Sequence, residues 1–234
     1  MSMRLTIADR GHELSGVVRE GESWRAAAER TAGSLSGDPV PVDLSGEVKR
    51  FVIDHDRVVT LRAMTHGDLD AVTTWRAGDA LRQWWKVGQE QTAEQIFEMY
   101  AERVDGLTPT RMWVVEVNGR SIGFVQDYRI SDYPDYAMLT PEPDAIGVDY
   151  AIGADQWRGR GLGPAILWAW MGRAHSRFPE ATTYFAAPDH RNLASLRVLT
   201  KVGFGQGLWF DQPQADGSTH TVVGCTLDVA CVLA

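Results

Sequence analysis

Apolar and polar residues alternate along Val58-Val59-Thr60-Leu61-Arg62-Ala63-Met64, the period of a half-buried strand. The pattern then changes to helical spacing, with Leu69, Val72 and Trp75 behind Thr65-His66-Gly67-Asp68, where Thr65 and Asp68 are placed as a capping box with Asp in the role of Glu. Two further periodic stretches follow, Ala80 to Trp85 and Thr92 to Val104, the latter repeating Ile96, Phe97, Tyr100 and Val104. Arg111 to Val117 and Ser121 to Tyr128 read as strands, and Asn118-Gly119 between them is a strong hairpin signal. A loop rich in Asp, Tyr and Pro spans 131 to 143 and leads to a strand, Ile146 to Ile152.

Beyond that strand the spacing predicts a helix from Pro164 to Ala174, a strand from Ala181 to Ala187, and a helix from Asn192 to Val202 stopped by Gly203. Gln206 to Phe210 and Thr219 to Leu227 read as strands joined by a polar turn, Asp211 to Ser218. The order is that of an α/β protein, a mixed sheet with helices on both faces. Residues 1–56 differ from the rest. Arg4 to Ala8 predicts a short strand, Ser23 caps an alanine-rich helix through Arg30, and Thr31 to Gly46 reads as loop or linker. The chain thus divides into an N-terminal extension, 1–56, and a main domain, 57–234. The extension would pack on the domain, help a homodimer form, or remain a flexible arm.

Charge narrows the partners. A net charge of −8 argues against nucleic acid or an anionic membrane and favours a cationic ligand. No apolar run is long enough to span a bilayer and the N-terminus lacks a signal-peptide core, so a cytoplasmic location is expected. Cys225 and Cys231 lack metal-ligand spacing with histidines and read as reduced thiols. Nine tryptophans leave some for a binding wall.

The chemistry gathers at Gln156-Trp157-Arg158-Gly159-Arg160-Gly161-Leu162-Gly163, a glycine turn between a strand and a helix. Closely spaced glycines let backbone N–H groups converge and the helix adds the positive end of its dipole, so the turn suits a phosphate or pyrophosphate. The glycines run G-x-G-x-G in the second half of the chain, with no Walker lysine and no Rossmann spacing.

Arg158, Gly161 and Gly163 match the Gln/Arg-x-x-Gly-x-Gly/Ala signature of the GCN5-related N-acetyltransferases (GNAT). Asn192 to Phe204 resembles the same family's Asn-x-x-Ala/Ser…Lys-x-Gly-Phe segment. The resemblance covers roughly residues 57 to 229. It implies a central, mostly antiparallel sheet that splays at the strand before the turn, with acetyl-CoA as co-substrate and no need for metal. It further implies that Tyr150, Ala151 and Ile152 line pantetheine, that the N–H groups of Arg158, Gly159, Arg160, Gly161, Leu162 and Gly163 hold the phosphates, and that Asn192 touches the arm.

Within that family the pattern resembles the aminoglycoside 6'-N-acetyltransferases. Trp84-Trp85 matches their Trp pair, Gly123 to Tyr128 approaches their Gly-x-Ala-Gln-x-Tyr strand, and Gly147-Val148-Asp149 matches a Gly-Ile/Val-Asp. Asp127, Asp132, Asp135, Glu142, Asp144 and Asp149 are opposed by Arg129 alone, and Tyr128, Tyr133 and Tyr136 interleave with them. Such a group of carboxylates is stabilised by a polycation. Trp84, Trp85, Gln126, Asp127, Tyr128, Asp135 and Asp149 are therefore the expected acceptor-binding residues, and an aminoglycoside the expected substrate, with antibiotic resistance as the biological role.

An ammonium must lose a proton before it attacks a thioester. Asp149, crowded by acids and partly desolvated, suits general-base work. Strand N–H groups near Tyr150 would polarise the thioester carbonyl. Two departures stand out: Leu199 takes the position of the family's helix tyrosine, and Ala186-Ala187-Pro188 replaces an Asp-Pro, which leaves the 2'-amine open beside the 6'-amine. Three alternatives to aminoglycoside transfer stay open: acylation of a protein N-terminus or lysine, of a siderophore hydroxylysine, or non-catalytic acyl-CoA binding.

Overall fold

The computed structural model describes residues 58–85, 91–213 and 217–233, together with the backbone of four strands nearer the N-terminus. Those strands are β1 (Arg4–Asp9), β2 (His12–Val17), β3 (Asp43–Ser45) and β4 (Val48–Ile53), ordered β2-β1-β4-β3 in one sheet. The strand expected at Arg4 is present, and three unexpected ones join it. Asp43–Ser45 is a strand where a linker was expected, because it pairs antiparallel with β4. The helix expected at Ser23 to Arg30 lies outside the described residues.

The main domain opens with β5 (Val59–Ala63), α1 (Leu69–Ala77), α2 (Asp79–Arg82) and α3 (Ala93–Val104). The Thr65 N–H and hydroxyl both donate to Asp68 Oδ2, at 2.9 and 2.8 Å, closing the expected cap through a 3-10 turn at His66–Asp68. Thr92 and Gln95 form the reciprocal box of α3: Gln95 N–H donates to Thr92 Oγ1 at 3.2 Å and Thr92 N–H to Gln95 Oε1 at 2.9 Å. The hairpin β6 (Arg111–Val117) and β7 (Arg120–Arg129) turns at Asn118 and Gly119, both left-handed at φ 50° and 76°. That is the geometry for which Asn-Gly is chosen.

Next come α4 (Pro134–Ala137), one turn inside the expected loop, then β8 (Ile146–Ile152), α5 (Leu162–Arg177), β9 (Thr183–Ala186) and α6 (Leu193–Val202). The chain ends with β10 (Gly205–Pro213), β11 (Thr219–Asp228) and α7 (Ala230–Leu233). Helix α5 starts before Pro164, which sits in the first turn where its missing N–H interrupts nothing.

These strands form one sheet in the order β10-β11-β9-β8-β7-β6-β5, antiparallel throughout except for β8 beside β9. Period-2 alternation gives the sheet two apolar faces. On one, Val115, Val125, Val148 and Tyr184 pack under α5 and α6, with Trp170 and Leu199 fully buried. On the other, Val114, Phe124 and Ala151 meet Leu69, Val72, Ile96 and Tyr100 of α1 and α3.

One irregularity positions everything below. Strand β8 pairs with β7 along its whole length, Gly123↔Ile152 to Arg129↔Ile146, but with β9 only at Ile146↔Tyr184 and Gly147↔Phe185. From Val148 onward the two parallel strands diverge, leaving one backbone edge of β8 without a neighbouring strand. The sheet is splayed at the strand expected to splay.

Candidate active site

A cavity of about 520 Å³ occupies this opening, within the size range of small-molecule sites. Because the strands part, it reaches residues on both faces of the sheet. Asp149 projects toward α1 and α3; Tyr150, its neighbour, projects the opposite way and its hydroxyl lies 3.0 Å from Ser195 Oγ on α6. Both line the cavity, with Trp84, Trp85, Tyr128, Tyr133 and Tyr136 as an aromatic wall.

Asp149 is held by its antiparallel partner. Gln126, directly opposite on β7, donates from Nε2 to Asp149 Oδ2 at 2.7 Å, and accepts at Oε1 from Arg103 of α3 at 2.6 Å. Desolvation pushes the Asp149 carboxyl above its ordinary value of 3.8, and the bonds from Gln126 and Tyr128, with the charges of Arg103 and Arg76, oppose that rise. Gly147 makes room for this arrangement, since a Cβ there would sit 2.6 Å from Cε2 of Tyr128.

Trp85 belongs to wall and core together: its ring stacks on Phe124 at 5.2 Å and carries the Arg76 guanidinium at 5.1 Å. Tyr128 meets Tyr133 edge-on at 5.4 Å, and the Tyr133 hydroxyl lies 2.6 Å from Thr110 Oγ1, which fixes the wall.

Two expected acceptor residues lie elsewhere. Asp127 follows Gln126 on the strand, so its side chain falls on the opposite face, 1% exposed. There it accepts from the indole N–H groups of Trp113 at 2.7 Å and Trp170 at 3.1 Å, with Arg177 at 3.4 Å. It anchors the core under α5. Asp135 is exposed on α4 and is not part of the cavity lining. The acidic stretch does not converge: Asp132 and Asp144 are exposed too, and among the described residues the carboxylates lining the cavity are Asp149 and Asp189.

Asp189 was not anticipated. It bridges to Val222 of β11, and Arg191 grips it through two bonds of 2.9 and 2.7 Å, holding its carboxyl down to about 2. Arg103, Gln212 and His220 also line the cavity without a motif to mark them. Arg103 carries a weak helical clue, one turn after the core residue Tyr100.

The glycine turn lies beyond the open end of β8. Gly159 and Gly161 take φ of 71° and 75°, where an L side chain costs about 1–2 kcal/mol. Gly161 is the N-cap of α5 and offers no side-chain cap, so the N–H groups of Gly161, Leu162 and Gly163 have no intrahelical acceptors. Gly163 has a different task. A Cβ there would lie 2.7 and 2.9 Å from the two Cγ atoms of Val198, so it lets α5 and α6 touch. Arg158 bonds back to Gly153 O at 3.2 Å and to Asp155 at 2.6 Å, and Arg160 lies over the Trp157 ring at 5.6 Å.

Ala151 is buried on the α1 face and Ile152 packs toward α5. Asn192 lines the cavity and caps α6, its Oδ1 accepting from Ser195 N–H at 3.1 Å. Leu199 is buried in the core, so the hydroxyls on that side of the cavity are those of Tyr150 and Ser195.

The sequence pattern of the family described as acetyltransferase (GNAT) domain matches residues 65–212. Aminoglycoside N(6')-acetyltransferase type 1 of Klebsiella pneumoniae is 28% identical over 157 residues, 66% of this chain and 77% of its own length. Among solved structures, aminoglycoside acetyltransferase AAC(6')-Ib in complex with coenzyme A superposes with a TM-score of 0.61 at 26% identity, over 73% of this chain and 95% of that one. Its complex with coenzyme A and kanamycin gives the same TM-score at 25% identity and the same coverage.

Proposed function

The chain belongs to the GNAT acetyltransferase family, and from that premise we propose that it transfers the acetyl group of acetyl-CoA to an amine of a cationic, polyhydroxylated small molecule of the aminoglycoside kind, with Asp149 as general base. The observation that carries this reading is a half-buried carboxylate in the cavity where β8 and β9 part, facing an aromatic wall.

In the reaction the acceptor ammonium gives a proton to Asp149, directly or through water. The freed amine attacks the thioester carbon, the C–S bond breaks, and the nitrogen's second proton passes through water to the departing CoA thiolate, giving a neutral amide and the CoA thiol. Backbone N–H groups of the unpaired β8 edge near Tyr150 stabilise the developing oxyanion. The first-turn donors of α5 and its dipole receive the pyrophosphate, Tyr150, Ile152 and Asn192 flank the pantetheine arm, and Trp84, Trp85 and Tyr128 face the acceptor. Aromatic faces attract ammonium groups and cover sugar rings. We take residues 57–234 as the catalytic domain and 1–56 as an extension, with a cytoplasmic role in antibiotic resistance.

A second reading has its own support. Of the two carboxylates that line the cavity among the described residues, Asp189 is neutralised by Arg191, and Arg103 adds a positive charge. That balance suits an acceptor with one or two ammonium groups, such as a lysine side chain, a peptide N-terminus or a hydroxylysine. Thiol-reagent detection of CoA release separates the two. Release with kanamycin, ribostamycin or another aminoglycoside supports the first reading; release with small diamines or peptides and none across a broad aminoglycoside panel replaces it with the second.

A further inference from the structure

A primary amide beside a carboxylate can present either of its ends, and which one it presents changes what the carboxylate can be. With the nitrogen inward, the amide donates to an anion; with the oxygen inward, two acceptors meet and the carboxyl must hold a proton to bridge them. The choice at Gln126 is forced from its other end. Arg103 Nη1 lies 2.6 Å from Gln126 Oε1, and a guanidinium has donors only, so the amide oxygen faces Arg103 and the nitrogen faces Asp149 Oδ2 at 2.7 Å. Each polar end of Gln126 holds one bond, which fixes the orientation of the amide beside Asp149.

Arg103 is itself fixed. Its guanidinium lies over the Tyr100 ring at 5.1 Å, one turn earlier on α3. The Tyr100 hydroxyl accepts from Arg76 Nε at 2.9 Å, and Arg76 Nη1 donates to the Trp85 carbonyl at 3.2 Å. The groups acting on Asp149 come from every neighbouring element: Gln126 and Tyr128 from β7, Arg103 and Tyr100 from α3, Arg76 from α1 and Tyr136 from α4. Of these, only the two arginines are charged.

We propose that Arg103 is a positioning residue that fixes the amide of Gln126 nitrogen-inward and thereby keeps the Asp149 carboxylate ionised before an acceptor binds, ready to take a proton. Burial acts against ionisation, and the bond from Gln126 is the largest influence opposing it. The catalytic meaning rests on the reading of Asp149 as the base, whereas the ionisation itself does not.

The test is the carboxyl titration of Asp149 by 13C NMR in full-length protein labelled at aspartate, without substrate, the resonance being assigned by its loss in Asp149→Asn. Arg103→Lys keeps a charged donor and should titrate with the wild type. Arg103→Gln removes the charge and should move the titration upward. Arg103→Glu presents an acceptor to the amide, reverses it, and should move the titration up the most, by about one pH unit or more. Gln126→Leu should also raise it, and provides the second reading if Arg103→Glu does not fold. Titrations of Arg103→Gln and Gln126→Leu that coincide with wild type overturn the proposal, as does an unmoved Arg103→Glu. A merely structural role would lower activity without moving the resonance. If the shifts appear but no amine is acetylated, the base assignment fails and the positioning stands.

Discussion

Gly163→Ala adds one methyl group to the most crowded glycine of the turn before α5. The new Cβ would sit 2.7 Å from Val198 Cγ2, 2.9 Å from Cγ1 and 3.4 Å from Cβ. Val198 is β-branched on a helix and holds one strongly preferred rotamer, and turning it only exchanges one methyl for the other. The clash must be relieved by moving α6 from α5, at the overpacking cost of about 1–3 kcal/mol. For a domain of this size that lowers Tm by about 2–4 °C per kcal/mol. Because Asn192 caps α6, the same movement shifts Asn192 and Ser195 relative to the turn and should raise KM for acetyl-CoA more than it lowers kcat. Calorimetry and initial rates measure both effects. Val198→Ala removes the two offending methyl groups, so the double variant should recover most of the lost Tm. A Gly163→Ala protein as stable as wild type, or one that Val198→Ala fails to rescue, would refute the argument that helix contact requires this glycine.

Asp149→Asn should slow acetyl transfer by about 10²–10⁴-fold, the usual worth of a general base, and leave acetyl-CoA affinity by calorimetry unchanged. Since folding raises this carboxyl, its stabilisation is full below the ordinary value of 3.8 and is lost as pH rises through the folded value. At pH 7 the Asn variant should therefore melt no lower than wild type, and a clear drop in Tm would show that Asp149 is structural. Trp84→Ala should raise the acceptor KM about tenfold with little change in Tm, while Trp85→Ala, which also strips Phe124 of its stacking partner, should lower both affinity and Tm; identical behaviour would contradict the split between wall and core. Cys225 is buried with its thiol pushed up to about 11 and Cys231 is exposed, so a maleimide at neutral pH should modify one cysteine in native protein and two after denaturation, by mass.

Legibility along the chain followed the range of the interactions. The Asn118-Gly119 hairpin, the Thr65–Asp68 cap and the glycine turn are local, and their residues state their geometry directly. The splay of β8 from β9 came through resemblance; neither strand's own pattern shows where pairing stops. The acidic stretch was misjudged because charge was counted along the chain without the period of two. Gln126 and Asp127 are neighbours in sequence yet lie on opposite faces, one beside Asp149 and the other beneath Trp170. Arg103, Asp189 and His220 reach the cavity from α3, the β9–α6 loop and β11, and only the tertiary fold brings them together. The strands β2 and β4 were missed because neither has a clean alternation of apolar and polar positions.

The central claim is that this cavity moves an acetyl group onto an amine under the control of Asp149. Mass spectrometry of the acceptor after incubation with acetyl-CoA and the full-length chain tests it most directly. The account predicts one acetyl group on an aminoglycoside amine with the wild type, and no more than background with Asp149→Asn. Equal acetylation by both proteins, or none on any amine with either, would contradict it.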